Sequence, residues 1–207
     1  MTPDRLLLTQ FLSPAFPVGS YAYSQGLEQA ITDGHVTDPA SLGQWITAIL
    51  THGSARMDAI LLTHGRVSDD LADLAYAFAT CAERQTEMRE QGAAFGQVIA
   101  TVTGLTPPAL PYALALAHAT RGMNLPTTDV LALYLQALAA QMISVAVRFV
   151  PLKAADGQKL LAGLAAPITD LAARYAMEPL SALSSATLGA DLAQMRHETL
   201  PVRIYRS

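Results

Sequence analysis

The chain has 207 residues, of which 51% are hydrophobic and only 14% are charged. A composition this apolar supplies enough side chains for a buried core, which excludes global disorder. The formal net charge of −4 lacks the basic footprint of a general nucleic-acid-binding protein. The single cysteine, Cys81, excludes an internal disulfide and is typical of a reducing compartment. These features predict a folded cytoplasmic protein without nucleic-acid partners.

Proline and glycine divide the chain into helix-length segments, and no strand-like alternation of useful length occurs. The first break is the loop from Ser13 to Ser20, which contains two prolines. Residues 181–187 are compatible with either helix or loop. Helices are predicted at about residues 4–12, 24–32, 39–50, 54–66, 68–81, 83–101, 110–120, 130–150, 156–166 and 168–176.

Residues 196–207 carry mixed charge and one proline, which is typical of a tail rather than a packed element. No charge block and no linker-like stretch divides the rest of the chain. The sequence therefore predicts one compact all-α domain, residues 1–207. It is a multi-helix bundle of about nine or ten helices with a partly flexible C-terminal tail.

The segment from Val130 to Val150 is long enough to cross a membrane. It contains Gln136, Gln141 and Arg148, and no cluster of basic residues flanks it. We therefore expect it to be the central core helix of the bundle, without contact with a membrane.

Two helix starts carry further expectations. Asp38 followed by Pro39 is a typical N-cap with proline at the first helical position. The start of the helix at residues 83–101 alternates acidic and basic side chains, which favours a solvent-exposed charged face. The side chains of that face are Glu83, Arg84, Glu87 and Arg89.

Motifs for catalysis and for cofactor binding are missing from the sequence. It contains no G-x-x-x-x-G-K-[ST], no G-x-G-x-x-G and no H-E-x-x-H. Ala22 to Gly26 resembles a nucleophile elbow, but a Pro/Gly loop precedes it where that motif needs a strand. Ser24 is therefore expected to cap a helix rather than to attack a substrate. The sequence predicts no catalytic residue, no cofactor and no metal site.

Tyrosine and arginine, which often anchor protein interfaces, are concentrated in two places. The first is the loop that leads into the second helix, with Tyr21, Tyr23 and Glu28. The second is the tail, where such a composition is typical of a segment that becomes ordered on binding a partner. A frayed terminus of chance composition explains the tail equally well. The tail residues concerned are Met195, Arg196, His197, Arg203, Tyr205 and Arg206.

Three segments resemble the signatures of the urease accessory protein UreF family. The segment from Leu12 to Glu28, LSPAFPVGSYAYSQGLE, is similar to the opening signature of that family. A later signature of the family is similar to the segments from Val150 to Leu152 and from Asp156 to Leu161. The family's C-terminal tail resembles the segments from Met195 to Thr199 and from Arg203 to Ser207. The chain departs from the expected pattern at Lys153-Ala154 and at Leu200-Pro201-Val202.

The resemblance implies an all-helical, dimeric, non-enzymatic scaffold for maturation of the nickel enzyme urease. It implies binding to UreD (also called UreH), recruitment of the GTPase UreG, and GTP-dependent nickel insertion into the urease apoprotein. It also implies that the chain modulates the GTPase activity of UreG or enforces the fidelity of metal delivery. The absence of a phosphate-binding loop agrees with this, because GTP must then bind to the partner.

The resemblance also assigns site residues. Tyr21 and Glu28 match positions near the UreD contact, and the tail residues are expected to order against UreD. Arg148 and Lys159 match basic positions that face UreG or the transfer path. The predicted partner-binding residues are Tyr21, Tyr23, Glu28, Arg148, Lys159, Arg196, His197, Arg203, Tyr205 and Arg206.

An alternative function is direct nickel binding through scattered histidines, since nickel accepts imidazole and carboxylate ligands. The spacing of the histidines places no two of them on one face of one helix. At each position, an ordinary surface or core histidine is therefore the alternative to a metal ligand. The candidates for such ligands are His52, His64 and His197.

Overall fold

The computed structural model describes residues 2–104, 106–150 and 152–206, and within these ranges it contains helices but no β-strand. The all-α prediction is therefore confirmed. Pro151 and Ser207, which belong to two of the motifs above, lie outside the described residues. The α-helices are α1 (Pro3–Phe11), α2 (Leu27–Thr32), α3 (Pro39–His52), α4 (Ser54–Gly65), α5 (Ala72–Ala77), α6 (Ala82–Thr103), α7 (Tyr112–Thr120), α8 (Thr127–Ala146), α9 (Ala154–Gly163), α10 (Ala165–Tyr175) and α11 (Leu188–His197).

The bundle is organised around α8. This helix buries ten residues, and its main neighbours are α10, α4, α3 and α9. By length and composition it could cross a membrane, with a mean hydropathy of 1.5 over its most apolar window. However, 56% of that window is buried inside the bundle. The prediction of a central core helix is confirmed.

The start of α3 follows the prediction from Asp38 and Pro39. The Asp38 carboxylate accepts the backbone N–H of Ser41 at 2.8 Å, and the Ser41 hydroxyl accepts the backbone N–H of Asp38 at 3.1 Å. Both bonds together form a capping box, which satisfies two N–H groups that the helix itself leaves unpaired.

The proline-containing loop between α1 and α2 is fixed by aromatic packing. Phe16 in this loop is buried, and its ring centroid lies 5.6 Å from that of Phe11 on α1. It also lies 5.4 Å from the centroid of Phe95 on α6. Aromatic pairs at such distances stabilise a core beyond the area they bury. The loop is thereby anchored to two helices before it reaches Tyr21 and Tyr23.

The start of α2 packs directly against α11. Gly26 has φ +79°, and a Cβ at this position would lie 2.8 Å from the backbone nitrogen of Gln194 on α11. Glycine is required here for its conformation and for the close approach. Gln25 also has a positive φ, of 54°. Because these two residues leave the right-handed helical region, α2 begins at Leu27 rather than near Ser24.

The sequence analysis does not predict α11, and the burial of its side chains explains the omission. Its large apolar residues, Leu188, Leu192 and Met195, are exposed, whereas Gln194 and His197 are buried. This arrangement inverts the usual pattern in which apolar residues mark the core face of a helix. The expected tail therefore begins with the last turn of a packed helix.

Candidate partner-binding site

Glu28 lies in the first turn of α2 and holds the C-terminal tail. Its Oε1 accepts the backbone N–H of Ile204, and its Oε2 accepts that of Tyr205, both at 2.9 Å. The Nε2 of His197 lies 3.0 Å from the same Oε2. Although burial opposes ionisation, hydrogen bonds from His197 and from these two amides lower the pKa of Glu28 below its ordinary value. One buried carboxylate thus connects the two ends of the chain.

His197 is fully buried between two carboxylates. Its Nε2 faces Glu28, and its Nδ1 lies 2.9 Å from Oε2 of Glu83 on α6. Arg203 completes the cluster, because its Nη1 donates to Oε1 of Glu83 at 2.8 Å. We call these four residues, Glu28, Glu83, His197 and Arg203, the tail clamp.

Tyr205 attaches the end of the tail to the bundle. It is buried, and its ring centroid lies 5.6 Å from that of Phe149. Its hydroxyl lies 3.5 Å from Nη1 of Arg148. The backbone N–H of Arg206 donates to the carbonyl of Ala22 at 2.7 Å. The tail therefore runs beside the loop between α1 and α2, which corrects the expectation that it is not a packed element.

Tyr23, Glu90 and Arg206 form a second contact between the loop and the tail. The Tyr23 hydroxyl donates to Glu90, and Nη1 of Arg206 lies 2.6 Å from Oε2 of Glu90. The Arg206 guanidinium also lies over the Tyr23 ring, 5.7 Å from its centroid. Burial, together with the bond to Glu90, raises the pKa of Tyr23, so this phenol stays neutral at physiological pH.

The other predicted site residues lie at the periphery or elsewhere. Tyr21 is 72% exposed, at the outer side of the loop. Arg196 is exposed, and its Nη1 lies 3.8 Å from Oδ2 of Asp33. Lys159 is exposed on α9, whose main contacts are with α8, α3 and α10. The structure thus brings together Tyr23, Glu28, Arg148 and the tail residues, but it does not place Lys159 among them.

The structure gives the alternative of direct nickel binding no set of ligands. The Nε2 of His64 lies 2.9 Å from the carbonyl oxygen of Glu178, and His197 belongs to the tail clamp. Among the described residues, no group of three or more His, Cys, Asp or Glu side chains is arranged to hold a metal ion. The prediction that Ser24 caps the second helix is wrong, because the N-cap of α2 is Gly26, although the Ser24 hydroxyl accepts the backbone N–H of Glu28 at 3.3 Å.

Comparison with known proteins decides the family. The UreF family model matches residues 36–165, which is more than half of the chain. The chain is 50% identical over its full length to the urease accessory protein UreF of Cereibacter sphaeroides strain KD131, all of which is covered. It is 46% identical to the UreF of Paracoccus denitrificans and 41% identical to that of Roseobacter denitrificans, covering 99% and 96% of them. The chain belongs to the UreF family.

This UreF-family chain also contains a buried charged network, although the charge pattern predicts two of its residues on the surface. Arg84 and Glu87 are buried, which corrects the prediction of an exposed charged face. Nη1 of Arg84 donates to Glu87 at 2.7 Å, and its other terminal nitrogen donates to Asp58 on α4. The Tyr134 hydroxyl of α8 donates to Asp58 at 2.7 Å. We call Asp58, Arg84, Glu87 and Tyr134 the core network.

The sequence contains one signal for this network. Asp58 is a lone carboxylate within an apolar stretch of α4, between Met57 and Ala59, and such a residue needs a buried partner. Its partner could not be identified from spacing, because Arg84 lies on a different helix. The charge pattern also predicts Glu83 on the exposed face. Its contact with His197 depends on tertiary packing, as the contact of Arg84 with Asp58 does.

Proposed function

We propose that this chain is a non-enzymatic scaffold for urease maturation. Together with UreD (UreH) it recruits the GTPase UreG, supports GTP-dependent nickel insertion into the urease apoprotein, and modulates GTP hydrolysis by UreG. We further propose that it acts as a homodimer in the cytoplasm. Membership of the UreF family and the name of its relatives, urease accessory protein, support the proposal.

The observation that carries the proposal is the docked tail. The tail clamp and Tyr205 fix the backbone of the tail, while neighbouring apolar side chains stay in solvent. Val202 and Ile204 are 78% and 69% exposed. Large exposed apolar side chains beside tyrosine and arginine are typical of protein-binding surfaces. The surface we assign to UreD consists of Tyr21, Leu188, Leu192, Met195, Arg196, Val202 and Ile204.

The first experiment is co-expression with candidate UreD and UreG, followed by size-exclusion chromatography with light scattering. Full-length protein should form a stoichiometric complex, and deletion of residues 196–207 should abolish UreD binding while the bundle stays folded. A truncated protein that binds UreD normally would contradict the assignment of the tail.

Deletion also removes the buried His197 and Tyr205, so a milder variant is needed. Val202→Asp with Ile204→Asp places two charges on the proposed surface and leaves the backbone contacts to Glu28 intact. We expect this double variant to lose UreD binding. The matched control is Met177→Asp, which changes an equally exposed residue just beyond α10 and should bind normally. Equal binding by both variants would reject the surface.

Modulation of UreG is tested separately by GTP hydrolysis. The rate should change when UreG is mixed with the preformed complex of this protein and UreD. The double variant should leave the rate at that of UreG alone, because the complex no longer assembles. An unchanged rate with the intact complex would remove GTPase modulation from the proposal but would leave the scaffold role.

A further inference from the structure

A cavity of about 160 Å³ lies beside α8, and Tyr21 of the proposed partner surface is among the residues that line it. The α8 residues that line it include Tyr134, Leu138, Gln141 and Val145, and Arg148 follows just beyond the helix. These positions share one helical face. Four helical turns, about 20 Å, separate Tyr134 from Arg148 along this face. The cavity therefore has a buried end at Tyr134 and another end near the tail.

The buried end places two carboxyl groups around one guanidinium. There the Arg84 guanidinium bridges Asp58 and Glu87, so one cation faces two carboxylates. Although burial opposes it, these carboxylates raise the pKa of Arg84, which keeps the guanidinium charged. Burial and Asp58 raise the pKa of Tyr134, so the phenol adds no charge. Arg148 lies about four helical turns from Tyr134, so its guanidinium does not reach these two carboxylates.

Gln25 gives an independent sign of a ligand. It lines the cavity and is 6% exposed, and its Nε2 donates to Glu87 at 2.9 Å. Its Oε1 has no hydrogen-bond partner within the described part of the chain. Rotation of the amide would turn this oxygen toward a carboxylate, so Oε1 is fixed as the free acceptor. An unpaired buried acceptor on a residue with positive φ is typical of a binding site.

We propose that this cavity binds a primary ammonium group carried on a short apolar chain. The ammonium donates to Oε1 of Gln25 and adds a second cation near Asp58, which lines the cavity, and near Glu87, to which Gln25 donates. This pairing offsets the cost of removing the ammonium from water. Phe11 and Leu138 contact the apolar chain, since both line the cavity. A cavity of about 150 Å³ holds a molecule as large as benzene, so a four-carbon chain fits.

The test compares n-butylammonium chloride with n-butanol on the full-length protein. Binding is followed by titration of the side-chain amide signals of Gln25 in ¹H–¹⁵N NMR spectra. We expect butylammonium to shift these signals and to bind at least about tenfold more tightly than butanol, the effect of one charge-assisted hydrogen bond. Equal affinity, or no response of the Gln25 signals, would overturn the proposal.

Two variants locate the site. Gln25→Asn keeps a residue that tolerates positive φ but shortens the amide. It should weaken butylammonium binding about tenfold, as followed by the backbone amide signal of the neighbouring Gly26. Ala137→Leu fills the cavity and should abolish binding. The matched control is Ala132→Leu on the same helix, which lines a different groove and should bind as the unchanged protein does. Loss of binding in the control as well as in Ala137→Leu would reject this cavity as the site.

A free alkylamine and a lysine side chain share this chemistry. Nα-acetyl-lysine methylamide, added in a parallel titration, distinguishes them. If it shifts the Gln25 signals as butylammonium does, the cavity receives a lysine from a protein. If only butylammonium does, the ligand is a free amine. If neither does, the ammonium site is rejected, whatever the outcome of the UreD experiments.

Discussion

The tail clamp and the core network use the same chemistry in different surroundings. Both pair carboxylates with cations, and α6 contributes to both, through Glu83 to one and through Arg84 and Glu87 to the other. The core network joins three helices within the bundle, with both charged partners of Arg84 buried. The tail clamp joins the bundle to a terminal segment, and its Arg203 side chain is 43% exposed.

This difference indicates that the core network stabilises the bundle itself, whereas the tail clamp attaches the tail to the bundle. Residues of the core network lie on three helices of the bundle, so loss of one partner affects the whole bundle. The tail has few other anchors, so loss of a clamp residue should release the tail alone. The following variants test this contrast.

The largest effect is expected for Arg84→Met in the core network. The variant leaves Asp58 and Glu87 buried without their cation. Breaking a buried ion pair in this way costs about 3–5 kcal/mol of unfolding free energy. Urea denaturation followed by circular dichroism measures it. Arg89→Met, an exposed position on the same helix, is the matched control, and an equal loss in both variants would contradict the role of the network.

A smaller and local effect is expected for Glu28→Ala in the tail clamp. His197 and the amides of Ile204 and Tyr205 lose their acceptor, which costs about 1–3 kcal/mol for unpaired buried donors. Hydrogen exchange should show loss of protection in residues 196–206, while α8 stays protected. Asp73→Asn on exposed α5 is the control. Uniform loss of protection, α8 included, would show that the clamp supports the whole bundle.

Acidification should weaken the tail clamp in a defined direction. The pKa of Glu28 is lowered by docking, so its contribution is complete above the ordinary value of 4.5 and is lost as pH falls through the lowered value. Limited proteolysis of the tail between pH 6 and pH 3 measures the release. Glu28→Gln should remove this dependence, and tail release that begins well above pH 4.5 would implicate a different group.

The smallest effect is expected for Arg206→Ala. Its ion pair with Glu90 is largely exposed, with 58% and 40% of the two side chains accessible. Such pairs contribute less than about 1 kcal/mol and weaken with salt. The backbone bond from residue 206 to Ala22 is unaffected by the substitution. Urea denaturation should give nearly equal midpoints for the variant and the unchanged protein, at low and at high salt. A loss of unfolding free energy as large as that of Glu28→Ala would contradict this ranking of effects.

Sequence patterns located most of the helices and the residues at the two ends of the site. The Tyr23–Glu28 segment and the tail were both selected by composition and motif, and the structure brings them into contact. The partner roles of these residues stay predictions. The contacts themselves could not be predicted, because His197 and Glu28 are 169 positions apart and no local rule couples them.

The sequence by itself determined the all-α class, the helix starts that depend on local capping, and the central position of α8. Each of these follows from short-range periodicity, capping and apolar composition. Only the tertiary structure decided the burial of charged side chains, because burial depends on which helices meet. Arg84 and Glu87 occupy positions that look solvated along α6 but face Asp58 and Gln25. In α11 packing reverses the expected pattern. Because Gly26 has no side chain, the α11 backbone at Gln194 approaches it closely, and Gln194 is buried while Leu188 and Leu192 stay exposed.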